Sequence, residues 1–212
     1  MNNLINPGSP FHDNEARTSE RSRKREAVLR MAVRTFNQKG YHATSLDDVA
    51  AALGISKPTI YHYLGNKERV LIECVTRGLE QLSAAAAEVR DASGTGLDRL
   101  VNFLRRYAQI NMDDFGRCVI RTGEELLSPE GAEQFRARKR EIDKAMRALI
   151  EDGIADGSIA ARDVKLTAFA LAGALNWTAR WHDPQGPLCA EAIASSLVDE
   201  LVRGIAPRPS QS

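Results

Sequence analysis

Residues 44–67 read TSLDDVAAALGISKPTIYHYLGNK. Leu46, Val49, Ala50 and Leu53 fall at i, i+3, i+4 and i+7, one apolar face of a two-turn helix. Thr44 or Ser45 stands where an N-cap is needed, and Asp47 and Asp48 suit the positive end of the helix dipole. Gly54 ends the helix, because glycine enters the left-handed region at little cost. Ile55 then plugs the turn, Ser56 caps a second helix, and Pro58 is tolerated in its first turn. That second helix, over about residues 57–63, has only Ile60 to bury, with Leu64 beyond it. Its other side chains, Lys57, Thr59, Tyr61, His62 and Tyr63, hydrogen-bond or stack.

A helix so short and so poor in apolar surface does not build a core. One anchored side and a free polar side are what a recognition helix in a DNA major groove requires. The alternative is an ordinary helical hairpin with a polar outer face, but caps, turn glycine, plug and polar helix all fall at compatible spacings. The charge distribution agrees. Residues 17–67 hold ten Lys/Arg against four Asp/Glu, a local +6 inside a chain whose net charge is only +1. Residues 68–212 carry 19 bases against 22 acids, so the positive charge sits at the DNA-reading end, as phosphate attraction demands.

Upstream, residues 1–18 are rich in Asn, Pro, Gly and Ser and read as a disordered tail. Arg17, Arg21, Arg23, Lys24 and Arg25 follow as a basic arm suited to phosphates or a minor groove; a solvated helix end is the competing reading for each. A first helix spans about residues 21–39, with Leu29, Ala32, Val33 and Phe36 at core spacing, and stops at Gly40. Downstream, every window is helical and none alternates like a strand. Helices are expected over about residues 66–89, 97–112, 117–127, 129–156, 161–181 and 188–205. The chain is therefore all-α, with about nine helices. Its organisation is a tail (1–18), a three-helix DNA-binding domain (19–66), a larger helical domain (67–206) and a loose end (207–212).

Gly40-Tyr41, Thr44-Ser45, Val49-Ala50, Leu53-Gly54, residues 59–63 (TIYHY) and residues 66–68 (NKE) together resemble the DNA-binding domain of TetR-type repressors. The resemblance covers about residues 21–71. Leu64-Gly65 departs from it, since many members carry Phe followed by a basic or small polar residue there. With the residue chemistry, it makes Arg23, Thr44, Ser45, Ser56, Lys57, Thr59, Tyr61, His62, Tyr63 and Lys67 the expected DNA contacts, Lys67 directing its ammonium toward a phosphate. The expected partner is double-stranded DNA with a palindromic operator, read by a homodimer.

In the larger domain, Ala168, Ala170, Ala172, Gly173 and Ala174 allow close helix approach, and Ile193, Leu197, Val198, Leu201 and Ile205 line one side of the last helix. The family resemblance implies that these two helices form an intersubunit four-helix bundle. The competing reading is that the stripe packs on its own domain. The helix at 97–112 is apolar nearly all round, so it is buried on several sides or faces a cavity. Phe103, Tyr107, Ile110, Phe115, Arg121, Asn176, Trp177, Arg180 and Trp181 are the expected ligand-binding residues; core packing is the alternative for each aromatic. Residues 172–181 (AGALNWTARW) with Gly186-Pro187-Leu188 are similar to a TetR subgroup that governs fatty-acid and sterol catabolism and responds to acyl-CoA thioesters. That likeness implies an acyl-CoA or related hydrophobic acid as effector, with Trp177, Arg180 and Trp181 sharing one face toward it. Arg136, Arg138, Lys139 and Arg140 add positive charge nearby in sequence.

Other classes fare worse. There is no G-x-S-x-G, no phosphate-cradling glycine loop and no metal-spaced His/Cys/Asp cluster, so no metal, no cofactor and no enzymatic activity are expected. Cys74, Cys118 and Cys189 are odd in number and far apart, which fits a reducing cytoplasm. No run of about eighteen apolar residues exists, and no membrane partner is expected. The expectation is a repressor released from its operator by a small hydrophobic effector. The alternatives are a ligand-independent DNA binder or an enzyme with an accessory DNA-binding domain.

Overall fold

The computed structural model describes residues 10–160 and 163–205, with side chains from residue 19 onward. Among the described residues the structure is helical throughout: α1 (Pro10–Lys39), α2 (Leu46–Leu53), α3 (Lys57–Leu64), α4 (Lys67–Arg90), α5 (Gly96–Met112), α6 (Asp114–Arg121), α7 (Pro129–Ala155), α8 (Val164–Trp181) and α9 (Ala190–Arg203). A 3-10 turn at Glu124–Leu126 precedes α7. No helix among the described residues is long and apolar enough to cross a membrane. The chain divides into two compact units, Met1–Leu71 and Ile72–Ser212, and the division falls within α4.

In the first unit α1, α2 and α3 pack on one another through Leu29, Ala32, Val33, Phe36, Leu46, Val49, Ala50, Ile60 and Leu64, all buried. Helix α1 begins at Pro10, so residues 10–18 are helical, which corrects their assignment to the loose tail. Proline suits a first helical turn, and no Gly or Pro follows until Gly40. The tail expectations for residues 1–9 and 206–212 lie outside the described residues. Ser45 rather than Thr44 caps α2, forming a capping box with Asp48: its hydroxyl accepts from Asp48 N–H while Asp48 Oδ2 accepts from Ser45 N–H at 2.8 Å. Gly54 takes φ 64° at the helix exit, its N–H donating to the Ala50 and Ala51 carbonyls.

In the second unit α5 is the central helix, touched by α6, α7, α8 and α9. Its all-round apolar character is explained by this burial: Leu100, Phe103, Leu104 and Ala108 have no exposure at all. Helix α6 starts at Asp114 and stops at Arg121, earlier than the spacing suggested, with Thr122 extended after it and Gly123 opening the 3-10 turn. Helices α4 and α6 approach backbone to backbone at Gly78, where a Cβ would lie 2.7 Å from the Phe115 carbonyl oxygen and 2.6 Å from Val119 Cγ2. Part of the α9 stripe packs inward: Ile193, Ala194, Val198 and Ile205 are buried in this unit, with α5 the helix α9 contacts most. Leu197, Leu201 and Val202 stay half exposed.

Candidate nucleic-acid interface and internal cavity

Helix α3 is anchored by Ile60 and Leu64 and leaves its other side outward. Tyr61 is 50% exposed, a large hydrophobic side chain left outward among the described residues of the first unit. Lys57 is exposed and pairs with Asp47 at 2.6 Å. Ser56 caps the helix, and its hydroxyl also meets the Thr59 hydroxyl at 2.8 Å. His62 Nε2 lies 3.4 Å from Arg21 Nη2, and a shallow depression between α1 and α3 is lined by Glu20, Arg21, Lys24, His62 and Tyr63. Arg23 is exposed on α1. Of the sequence-derived group, Lys57, Tyr61 and His62 are exposed on α3 and Arg23 on α1, while Thr59 and Tyr63 are half-buried.

Two expected contacts are held inward. Thr44 is buried, its hydroxyl donating to the Gly40 carbonyl at 2.9 Å and lying 3.4 Å from that of Thr35, so it ties α1 to the loop before α2. Lys67 holds its ammonium 4.2 Å from the Tyr41 ring centre and 3.4 Å from the His42 carbonyl. Its charge is therefore presented beside Tyr41 and not on a free stem. Ser45 and Ser56 have their hydroxyls engaged as caps.

The second unit encloses a cavity of about 430 Å³. Its apolar wall comes from Leu79 and Leu82 of α4, Val119 and Ile120 of α6, Ile142 and Met146 of α7, and Phe169 and Ala172 of α8. Tyr107, Asn176, Thr122 and Asp143 supply polar groups, and exposed Lys139 and Arg140 stand at its open side. A cavity of this size and mix suits a small apolar ligand with a few polar contacts. Burial pushes the Tyr107 phenol up to about 12, so it stays protonated and donates to Asn176 Oδ1 at 2.8 Å. Asn111 Nδ2 donates to the same oxygen at 3.0 Å.

Of the nine expected ligand residues, only Tyr107 and Asn176 line this cavity. Phe103, Ile110 and Phe115 are buried core, Phe103 meeting Tyr107 edge to face at 5.7 Å. Arg121 caps the end of α8, donating from Nε to the Ala179 carbonyl at 3.2 Å, a favourable place for a cation. Trp177, Arg180 and Trp181 do share a face, but it is the outer one: Trp177 is 64% exposed and Trp181 47%. The inward stripe of α8 is Ala168, Leu171, Leu175, Thr178 and Ala179, smaller residues at i, i+3, i+7, i+10 and i+11. The i, i+3, i+4 spacing of Trp177, Arg180 and Trp181 puts them on one face but does not say which way that face turns.

The cysteines have separate fates. Cys189 is exposed, while Cys74 on α4 and Cys118 on α6 are buried neighbours. Burial pushes the Cys74 thiol up, keeping it protonated. Among the described residues no group of His, Cys, Asp and Glu could hold a metal ion.

The arrangement of recognition helix and cavity has relatives. Residues 28–74 match the family described as bacterial regulatory proteins, tetR family, and residues 93–205 match the tetracyclin repressor-like C-terminal domain. The HTH-type transcriptional repressor KstR2 of Mycolicibacterium smegmatis is 25% identical over 190 residues, covering 88% of this chain and 93% of its own. The crystal structure of the TetR family regulator PfmR from Thermus thermophilus superposes with a TM-score of 0.75 at 32% identity, covering 83% of this chain and 97% of that one. AibR, solved in complex with isovaleryl coenzyme A and operator DNA, superposes with a TM-score of 0.73 at 25% identity, covering 84% and 97%. Two matched regions, a family neighbour at 32% identity and the geometry of α2 and α3 agree: the chain belongs to the TetR family of bacterial transcriptional regulators.

Proposed function

We propose that the protein is a cytoplasmic homodimeric repressor that reads a palindromic operator through two copies of α3 and releases it when a small hydrophobic effector fills the cavity of the second unit. The observation that carries this reading is the cavity itself: an apolar wall, a few polar groups and two cations at its open side, Lys139 and, paired with Glu133, Arg140. That chemistry favours an amphipathic anion, its apolar body inside and its charge outside. An acyl-CoA thioester has this form, and the similarity to AibR, solved with isovaleryl coenzyme A, supports it. The relatives are regulators, and the reading here is of a regulator without catalysis.

Effector binding and operator binding would be linked by a coupling free energy of ~1–3 kcal/mol, typical of two-site regulation. Helix α4 supplies the connection, since it contributes Leu79 and Leu82 to the cavity and Val70 and Leu71 to the core of the first unit. The test is fluorescence anisotropy on labelled DNA from upstream of the protein's own gene, titrated with CoA thioesters, the matching free acids and CoA alone. Release by a thioester but not by its acid or CoA is the expected result. Specific operator binding that no thioester disturbs would remove the acyl-CoA part of the reading.

A further inference from the structure

Within the cavity one polar group is set up differently from the rest. Asn176 on α8 lines the wall, and its Oδ1 is occupied twice, by the Tyr107 hydroxyl at 2.8 Å and by Asn111 Nδ2 at 3.0 Å. Asn111 has no exposure, and its own Oδ1 is buried without a hydrogen bond among the described residues. Asn111 thus spends an amide N–H on positioning Asn176 while its own Oδ1 stays unsatisfied, an arrangement that is costly unless the positioned group has a task. With Oδ1 fixed from behind by two donors, the side-chain atom that Asn176 has left for the cavity is Nδ2, which among the described residues has no protein partner. The cavity wall around it is mostly hydrocarbon, from Leu79, Leu82, Val119 and Met146, with the Asp143 carboxylate, paired with Arg147, also in the lining.

We infer that Asn176 Nδ2 is a preset donor that reads a carbonyl oxygen on the effector's body, with Tyr107 and Asn111 as positioning residues. The site therefore favours an oxygenated apolar body over a plain hydrocarbon. A ligand without an oxygen at this point strands a buried amide N–H, which makes such a site discriminate more sharply than its apolar walls can. The oxygen has two sources to distinguish, a ketone within the acyl body or the thioester carbonyl, and both present the same acceptor. This inference rests on the cavity being the effector site, but it does not require the effector to carry CoA.

The test measures direct binding to the full-length dimer with probes that differ by one oxygen. Without CoA, 2-decalone is compared with decalin; with CoA, 7-oxo-octanoyl-CoA is compared with octanoyl-CoA. Each is titrated against the wild type, Asn176→Leu and Asn176→Asp, the last keeping the acceptor for Tyr107 and Asn111 while removing the donor. Wild-type protein is expected to prefer 2-decalone roughly 3- to 10-fold, the worth of one hydrogen bond, and both variants to lose that preference. A wild type indifferent between 2-decalone and decalin, or a preference that survives in Asn176→Leu, would overturn the inference. Weakening of 7-oxo-octanoyl-CoA alone in the variants assigns the oxygen to the acyl body; equal weakening of both thioesters assigns it to the thioester carbonyl. If neither thioester binds while the decalone preference holds, the acyl-CoA reading fails and the role of Asn176 stands.

Discussion

Among the described residues two helices expose large aromatic side chains, and their company sets them apart. On α3, Tyr61 stands among Lys57, Thr59 and His62, each already engaged in a polar contact of its own. On α8, Trp177 and Trp181 stand with Leu166 and Gly173 on an outer face that is largely hydrocarbon, with Arg180 beside them. An exposed aromatic alone does not name its partner. Polar neighbours with fixed hydrogen bonds suit base edges and phosphates, whereas a continuous apolar strip marks a surface that another protein surface covers. The same chain carries one face of each kind, on separate compact units.

The largest effect is expected on the α8 face. Replacing both tryptophans, Trp177→Glu with Trp181→Glu, should split the dimer, because buried interface tryptophans typically carry about 2–4 kcal/mol each. Sedimentation equilibrium checks this, and operator binding should fall with it since two half-sites must be read together. A double variant that stays dimeric at submicromolar concentration would move the interface off this face. On α3 the expected loss is smaller and selective: Tyr61→Ala should cost about 1–3 kcal/mol on operator DNA and little on random DNA. Equal losses on both would reduce Tyr61 to a phosphate or packing contact and erase the contrast between the two helices.

Smaller effects sharpen the first face. Ser45→Ala removes a cap and should lower stability by about 1 kcal/mol in thermal unfolding, weakening α2 beneath the recognition helix. The Asp48 carboxyl is held below the usual range by the backbone N–H and hydroxyl of Ser45. Its folded pKa is thus lower than its unfolded one, so its contribution is present above the unfolded value and lost as pH falls through the folded value. The acid limb of the melting temperature should therefore be shallower in Ser45→Ala than in the wild type; a parallel limb would deny the hydroxyl this role. The least effect is expected from Lys67→Ala, which should weaken all DNA alike and lower the salt slope by roughly one. An unchanged slope would mean that the ammonium held over Tyr41 serves packing alone.

What could be read from the sequence followed from how local the signals are. Ser45, Gly54, Ser56 and Pro58 act within one helical turn, so α2 and α3 could be placed to within a residue. The cavity depends on which side of α8 meets α5 and α7, and that choice is tertiary. Helix α8 has an inner stripe of small residues and an outer stripe of large ones, the reverse of the usual amphipathic reading, because its outer stripe is apolar as well. Tyr107 is legible as part of the apolar surface of α5 and Asn176 as an amide that needs a polar partner; that each partners the other is tertiary. The apolar wall from α4 and α7 carried no such mark. Thr44 and Lys67 look like surface chemistry in one dimension, yet the loop before α2 folds their polar ends back onto α1 and Tyr41.

The contact at Gly78 has a mechanical consequence. Most helix pairs meet through side chains, which yield by changing rotamer and so absorb part of any displacement. At Gly78, α4 contributes no side chain of its own and meets the Phe115 carbonyl and the Val119 side chain of α6 directly, while Val119 and Ile120 also line the cavity. Such a contact leaves α4 little slack against a displacement of α6. A single methyl group at that point, Gly78→Ala, would press on both the Phe115 carbonyl and Val119 and force the two helices to shift, imitating or opposing the effector from behind the cavity wall.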